Sequence, residues 1–289
     1  MKPWILGARP RTLPAAIAPV LVGTTLALPN GLNINWLNAL LALLVSLFLQ
    51  IGVNYANDYS DGVRGTDEVR VGPMRLVASG LKSAKSVKQA AFFLFFLASI
   101  SGLFLALRTS RWLILVGLIA ILAAWNYTGG DKPYGYQGFG ELSVFLFFGV
   151  VATAGTYFAQ SQKITWQSLL ISIPMGALSC TILAINNLRD LPKDALVGKH
   201  TIAVRIGDKT ARWMIIVLIV TAIVAGLLAA TISPWVFVTL LIVPLAIRIG
   251  VAINQGAHGA ALIPLLGKAG KLQLFFALLM TFALFMARA

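Results

Sequence analysis

The sequence has one cysteine, two histidines and few charged residues. Cys180 has no second cysteine to pair with, so an internal disulfide is excluded. His200 and His258 are isolated along the chain, and no histidine or cysteine pair supports a zinc or iron site. Charged residues make up 11% of the 289 residues, whereas 58% are hydrophobic, and the mean hydropathy is +0.86. Soluble domains contain about 25% charged residues, so this composition excludes an ordinary soluble domain and indicates a membrane protein.

Long apolar runs occupy most of the chain. A helix that crosses a bilayer needs about 20 mostly apolar residues. Segments that approach this length occur at residues 13–29, 37–56, 89–107, 112–128, 142–160, 168–186, 213–231, 235–253 and 272–287. No separate soluble domain or linker is evident between them. The prediction is a single transmembrane domain over residues 1–289, an all-α polytopic protein with nine transmembrane helices.

The formal net charge is +14, and the basic residues responsible for it are distributed unevenly across the predicted topology. With nine spans, 19 of the 23 lysines and arginines fall on the side that carries the N-terminus. The segments concerned are the N-terminus and residues near 57–88, 129–141, 187–212 and 253–271. The positive-inside rule places this side in the cytoplasm. The basic excess therefore reports membrane orientation, and we expect the lipid bilayer as a partner and no nucleic acid.

All nine acidic residues lie on this predicted cytoplasmic side, and four of them lie in two Asn/Asp clusters at the ends of spans. The first is NDYSD, residues 57–61, at the end of the second span, and the second is NNLRDLPKD, residues 186–194, at the end of the sixth. Each cluster places Asn and Asp four residues apart, on one face of a helix. The matching positions predict two four-helix halves, about residues 1–135 and 136–255, plus a ninth helix. Capping acids at two solvated helix ends are the alternative, which explains one cluster better than two.

Oxygen ligands of this kind select a hard cation, and Mg²⁺ typically binds a few carboxylates together with substrate phosphates. The candidate metal ligands are Asn57, Asp58, Asp61, Asp67, Asn186, Asp190 and Asp194. Basic residues interleave with them, as a diphosphate site requires. The candidate diphosphate-binding residues are Arg64, Arg75, Lys132, Arg189 and Lys193. The sequence has no GxxxxGK[ST] phosphate loop, so acids at the mouth of an apolar bundle favour a lipid diphosphate over a soluble nucleotide.

These motifs resemble those of the UbiA superfamily of intramembrane prenyltransferases. The first superfamily motif, NDxxDxxxD, matches Asn57, Asp58 and Asp61. Its third acid would fall on Gly65, and we assign that role to Asp67, two residues later. The second motif, DxxxD, matches Asp190 and Asp194 without adjustment. Further stretches resemble the branch of the superfamily that prenylates 1,4-dihydroxy-2-naphthoate: RPRTLPAAIAPVLVGT, GPMRLVASG, YTGGDKPYGYQGFGE and KHTIAVRIG.

The resemblance covers nearly the whole chain and implies helices around a central cavity that holds an Mg²⁺-bound polyprenyl diphosphate. It implies Mg²⁺-dependent transfer of the prenyl group to the naphthoate with decarboxylation, which gives demethylmenaquinone. The prenyl tail would leave through a lateral opening to lipid. The implied location is a bacterial cytoplasmic membrane, with a cytoplasmic N-terminus and an active site facing the cytoplasm.

Several residues have predicted roles in this chemistry. Asp61 and Asp190 are expected to be essential for catalysis, and Asp131 is a candidate to accept a proton from the acceptor hydroxyl. Lys132 or Arg75 would hold the acceptor carboxylate, although a diphosphate role is equally open to both. Aromatic faces attract the developing allylic cation without reacting with it. The candidates are Tyr127, Tyr134 and Tyr136, for which interfacial anchoring is the alternative.

Other functions remain open at this level. The nearest is prenyl transfer to another aromatic acceptor, such as 4-hydroxybenzoate or homogentisate. A secondary transporter or channel would place ionisable residues near the bilayer midplane, whereas these acids lie at span ends. A CDP-alcohol phosphotransferase would carry an Ala-Arg pair in its acidic motif, and that pair is absent.

Overall fold

The computed structural model describes residues 2–66, 72 and 75–288, and these residues form helices joined by turns, with no strand among them. Asp67 lies outside the described residues. The helices are α1 (Lys2–Ala8), α2 (Pro14–Thr25), α3 (Trp36–Val63), α4 (Ala84–Arg108), α5 (Trp112–Asn126), α6 (Gly140–Val144), α7 (Ala152–Ser161), α8 (Trp166–Leu196), α9 (Ile202–Leu228), α10 (Val243–Asn254) and α11 (Leu262–Met286). A π-helical segment, Phe145–Val151, joins α6 to α7, and a 3-10 segment, Pro234–Ile242, precedes α10.

The predicted all-helical membrane architecture is confirmed, but the count of nine spans is not. Seven of the described helical segments are long and apolar enough to cross a bilayer, and an eighth qualifies if Lys2–Thr12 and Pro14–Asn30 count as one span bent by 54°. The predicted segment at 112–128 corresponds to α5, which has 15 residues. At about 1.5 Å per residue, α5 rises about 22 Å, less than the roughly 30 Å of a hydrocarbon core.

The helices of the two predicted halves pack in a corresponding way. In the first half α3 packs against α4, and in the second half α8 packs against α9. The most buried of the long helices is α8. In its most apolar stretch of 18 residues 78% of the residues are buried, compared with 22% in the corresponding stretch of α3. The last helix, α11, packs against α2 and α8. Thus α8 lies inside the bundle.

Close contact between the π segment and α8 depends on glycine. A Cβ atom on Gly149 would lie 2.6 Å from the Cα of Gly176, a backbone atom that cannot rotate away. We expect Gly149→Ala to destabilise the protein by about 1–3 kcal/mol, the usual cost of overpacking a core. Thermal unfolding in detergent measures this loss. Gly155→Ala is the matched control, because Gly155 lies in the adjoining helix with no described atom within 4 Å of the new Cβ; equal melting temperatures for the two variants would contradict the packing argument.

Candidate active site

A cavity of about 320 Å³ lies between α2, α3, α5, the π segment and α8. Most of its wall is apolar, and its acidic residues lie at the end where α3 and α8 finish. There α3 contributes Asn57 and Asp61, which are one helical turn apart. The facing helix contributes residues at the same spacing, Asn186, Asp190 and Asp194. Both predicted clusters therefore line a single cavity, although they are more than 120 residues apart in the sequence.

Asp61 lines the cavity and contacts three polar side chains. It is buried, with 4% of its surface exposed. The Tyr136 hydroxyl donates to its Oδ1 at 2.5 Å, the Lys199 ammonium donates to the same oxygen at 3.0 Å, and Arg75 Nη2 lies 3.8 Å from Oδ2. These contacts come from three different segments of the chain. Asp61 thus joins α3 to the loops before α6 and α9.

The groups around Asp61 keep their protons. Burial by itself lowers the pKa of the Lys199 ammonium, but the attraction of Asp61, reinforced by Tyr136 and Asp194, outweighs it and raises the pKa above its ordinary value of 10.5. Burial and the negative charge of Asp61 also raise the pKa of the Tyr136 phenol. The stabilising Lys199–Asp61 pair is therefore fully present below the ordinary lysine pKa and is lost only as pH rises through the raised one.

Asp58 has a different environment from Asp61. It is 1% exposed and does not line the cavity. Its Oδ1 accepts from Arg75 at 2.6 Å and from Arg9 at 3.2 Å, and its Oδ2 accepts from the backbone N–H of Leu76 at 3.0 Å. Arg9 and Arg75 both line the cavity. In this arrangement Asp58 holds two guanidinium groups at the acidic end, and its predicted role as a metal ligand stays a prediction.

The cluster on α8 contains a second fixed ion pair. Arg189 is 5% exposed and donates two hydrogen bonds to Asp190, from Nε at 2.7 Å and from Nη2 at 2.6 Å. Arg189 itself is not among the cavity residues, whereas Asp190, Lys193 and Asp194 are. On the other side, Asn187 lines the cavity and donates to Glu141 Oε1 at 2.9 Å. Asp190 therefore lines the cavity while its partner Arg189 lies outside the lining.

Some predicted site residues lie away from the cavity. Arg64 donates to the backbone carbonyls of Thr128 and Gly130, and its guanidinium lies 5.4 Å from the centre of the Tyr136 ring. Asp131 and Lys132 are exposed in the loop after α5. None of the three predicted residues, Arg64, Asp131 or Lys132, lines the cavity in the described structure. Their proposed roles stay predictions with no geometric support here.

The three tyrosines predicted to face the substrate all line the cavity. Tyr127 and Tyr134 form an edge-to-face pair with ring centres 5.5 Å apart. The Tyr134 hydroxyl donates to the carbonyl of Ala123 at 2.9 Å. The ring of Tyr136 lies 4.4 Å from the Lys199 nitrogen. These three lining residues are together called the aromatic wall, and Tyr136 is the member that contacts the acidic end, through Asp61.

Sequence reasoning assigned no site role to Lys199, Arg9 or Asn187, although all three line the cavity. Lys199 follows Asp194 by five residues and reaches back to Asp61 across the bundle. Arg9 and Lys199 belong to RPRTLP and KHTIAVRIG, two of the stretches that carried the family resemblance. Basic residues within those stretches were the available signal, and only the fold shows that they point to the acids.

Lys199 is expected to contribute to binding of an anionic substrate. We expect Lys199→Met to raise the KM for a prenyl diphosphate about tenfold or more, because a charged hydrogen bond contributes about 1.5–3 kcal/mol. Steady-state kinetics with purified protein measures the change. Lys209→Met is the matched control, since Lys209 is exposed on α9 and does not line the cavity. An unchanged KM for Lys199→Met would show that this lysine only holds Asp61.

The donor set around the cavity fits Mg²⁺ when the substrate supplies part of the coordination. Among the described residues, no three acidic, histidine or cysteine side chains come close enough together to hold a metal by themselves. The cavity nevertheless presents carboxylate and amide oxygens from opposite sides, on Asn57 and Asp61 and on Asn186, Asp190 and Asp194. Mg²⁺ usually takes one or two carboxylates plus substrate phosphates and water. These oxygens therefore suit a magnesium ion shared with a diphosphate.

Comparison with known proteins agrees with this geometry. The model of the UbiA prenyltransferase family matches residues 16–261. A 1,4-dihydroxy-2-naphthoate octaprenyltransferase of Mycobacterium tuberculosis is 50% identical, over 97% of this chain and 96% of its own length. The protein of the same name from Mycobacterium leprae is 46% identical, over 98% of this chain and 96% of its own length.

A solved structure has the same fold. It is a UbiA homolog from Archaeoglobus fulgidus bound to DMAPP and Mg²⁺, with a TM-score of 0.67, 17% sequence identity, and coverage of 98% of this chain and 99% of that chain. The family model and the two mycobacterial relatives confirm the family resemblance seen in the sequence, and a transporter is set aside. This chain belongs to the UbiA prenyltransferase family and is an intramembrane prenyltransferase.

Proposed function

We propose that this protein transfers a polyprenyl group from a polyprenyl diphosphate to 1,4-dihydroxy-2-naphthoate. The carbon–oxygen bond to the diphosphate breaks, and its electron pair leaves with the diphosphate. A carbon–carbon bond forms at the ring carbon that bears the carboxylate, which departs as carbon dioxide. The product is demethylmenaquinol, the reduced form of demethylmenaquinone. The observation that carries the proposal is that two acidic clusters meet at one end of an apolar cavity. The chain in which they meet is 50% identical to a 1,4-dihydroxy-2-naphthoate octaprenyltransferase.

The charged end of the cavity suits the diphosphate. Arg9, Arg75, Lys193 and Lys199 line it and supply positive charge to the phosphate oxygens. Asn57, Asp61, Asn186, Asp190 and Asp194 are the residues that would hold Mg²⁺. When bound, the ion acts as a Lewis acid that stabilises charge on the departing diphosphate.

The acceptor is proposed to bind between the diphosphate and the aromatic wall. Tyr127, Tyr134 and Tyr136 present electron-rich rings to the allylic cation, and the apolar wall keeps water from it. Of the two cations proposed for the acceptor carboxylate, Arg75 lines the cavity and Lys132 is exposed. The geometry therefore favours Arg75 for this role.

The proposed orientation places the acidic end at the cytoplasmic face of a bacterial inner membrane, with nine crossings in which α5 is a short span. It predicts opposite labelling of two loops by a membrane-impermeant maleimide applied to intact cells. Gln162→Cys, after α7, should react, and Val197→Cys, after α8, should react only when the membrane is opened. The native Cys180 is buried and serves as the unlabelled background. Labelling of both loops from outside would contradict this topology.

The function is tested with purified protein, Mg²⁺, octaprenyl diphosphate and a panel of aromatic acids. We expect a single product from 1,4-dihydroxy-2-naphthoate, with a mass that shows gain of the prenyl group and loss of carbon dioxide. The panel includes 4-hydroxybenzoate and homogentisate. Preferential prenylation of either of these would replace the proposed acceptor, and a product that kept its carboxylate would contradict the decarboxylation.

A further inference from the structure

The cavity extends far beyond its charged end. On α3 its lining residues recur every three or four positions from Asp61 back to Ala42, a rise of about 28 Å at about 1.5 Å per residue. This approaches the roughly 30 Å thickness of a hydrocarbon core. The far end is lined by Val20, Ala42, Leu105 and Leu113, which belong to one apolar cluster. A long apolar molecule could therefore lie along the bundle, with a charged head at Asp61.

Three glycines line the distal part of this cavity, and a Cβ on one of them, Gly102 of α4, would make an ordinary contact with Val45 at 3.6 Å. Gly117 lies on α5, about 15 Å along the helix from Tyr127, and Gly155 lies on α7, beyond the π segment from Ser143. No atom from another part of the described chain lies within 4 Å of the position that a Cβ would take on either glycine. The space beside both residues is open cavity.

Other helix glycines in this chain have a different environment. A Cβ on Gly23 would lie 2.3 Å from the carbonyl oxygen of Thr153, and a Cβ on Gly226 would lie 2.7 Å from the ring of Phe276. Those glycines permit helices to approach closely, as small residues do in membrane bundles. Gly117 and Gly155 permit no such approach, yet glycine is less favourable than alanine inside a helix. Close helix packing therefore does not account for them, and what distinguishes them from Gly250, which is equally open, is that they line the cavity.

We infer that Gly117 and Gly155 keep the distal part of the cavity open, so that this protein accepts long prenyl chains as well as short ones. The inference rests on the proposed use of a polyprenyl diphosphate. With the diphosphate at the charged end, the first isoprene units lie beside the tyrosines and the later units pass between α5 and α7. A larger side chain at either glycine occupies the volume of those later units. The tail of a short diphosphate ends before it reaches this level.

The test measures binding rather than turnover, so the identity of the acceptor does not enter. Labelled geranyl diphosphate is bound to purified protein with Mg²⁺ and displaced by unlabelled geranyl or octaprenyl diphosphate. In Gly117→Leu and in Gly155→Leu, we expect the affinity for octaprenyl diphosphate to fall about tenfold, equivalent to about 1.4 kcal/mol. The affinity for geranyl diphosphate should stay within about twofold of wild type. Gly117→Ala and Gly155→Ala should also lower the affinity for octaprenyl diphosphate relative to geranyl diphosphate, but by a smaller factor. These alanine variants provide the measurement if a leucine variant does not fold.

Gly250 provides a matched control. It also has no described neighbour within 4 Å of a built Cβ, but it lies on α10 and does not line the cavity. Gly250→Leu should leave both affinities unchanged. An unchanged octaprenyl-to-geranyl ratio in the Gly117 and Gly155 variants would overturn the inference and indicate that the tail leaves sideways before reaching these residues. Equal loss of both affinities in folded variants would overturn it as well. Failure to prenylate the naphthoate would refute the proposed acceptor and leave this binding test intact.

Discussion

Replacing Asp61 with asparagine is expected to lower kcat/KM for prenyl transfer about a hundredfold to a thousandfold. The substitution keeps the shape of the side chain and removes its charge. Asp61 is the acid that Lys199 and Arg75 approach from one side of the cavity while Asp190 and Asp194 line the other. Without its charge, the proposed magnesium ion loses a ligand at the point where both halves of the bundle meet. Initial rates with saturating Mg²⁺ and octaprenyl diphosphate measure the loss.

Asp208→Asn is the matched control for this experiment. Asp208 is also an acid near the end of a helix, and it accepts from Arg212 at 2.6 and 3.0 Å, but it is exposed and lies outside the cavity. Its replacement should change turnover by less than about twofold. Asp190→Asn should resemble Asp61→Asn, since both clusters serve one step. Near wild-type activity in either cavity variant, with the protein folded in the membrane, would refute the two-cluster site.

Removal of divalent cations is expected to have the largest effect. Chelation with EDTA should lower turnover about a thousandfold or more, because Lewis-acid stabilisation of a leaving group contributes several kcal/mol. The carboxylates that line the cavity would otherwise face the negative diphosphate directly and repel it. The affinity for geranyl diphosphate should therefore fall as well, which gives a readout that does not depend on turnover.

Adding Mg²⁺ back in excess of the chelator should restore both activity and affinity. Calcium at the same concentration should restore less activity, since it prefers longer bonds and a larger coordination shell. Full activity in EDTA, measured with protein purified without added metal, would contradict the proposed magnesium site. In that case the negative charge of the diphosphate would be neutralised only by the four basic residues that line the cavity, Arg9, Arg75, Lys193 and Lys199.

The acidic clusters could be recognised in the sequence because they interrupt apolar runs. Few charged residues occur in the chain, so the placement of Asn57 to Asp61 and Asn186 to Asp194 at the ends of two long runs stands out. Helical periodicity then puts the members of each cluster on one face. The all-helical class, the location in a membrane and the family resemblance could all be predicted, because each depends on features within about twenty consecutive residues, the length of one span.

The number of membrane-spanning helices was harder to predict from the sequence, because hydropathy reports how apolar a segment is and does not report how long the resulting helix is or whether it bends. The run at 112–128 forms a helix of 15 residues, and the run at 13–29 belongs to a pair of helical segments bent by 54°. A bend at Leu13 and Pro14 depends on what the chain packs against on each side. Pro10 and Pro14 mark locally where the helix can break, but they do not give the angle or show that both segments belong to one span.

The sequence by itself determined that this chain is a helical membrane protein of the UbiA family with two acidic motifs, because hydropathy, charge and motif spacing are local properties. Only the tertiary structure decided which residues meet. It joined Asp61 to Lys199 across 138 positions of the chain, turned Asp58 away from the cavity toward Arg9 and Arg75, and left Asp131 and Lys132 exposed. Such contacts depend on how α3 and α8 are packed around the cavity, with α3 against α4 and α8 against α9, and on the path of the loops beyond them. A side chain's partners are set by that packing, and the physical reason is that helix–helix contacts join residues with no relation in the sequence.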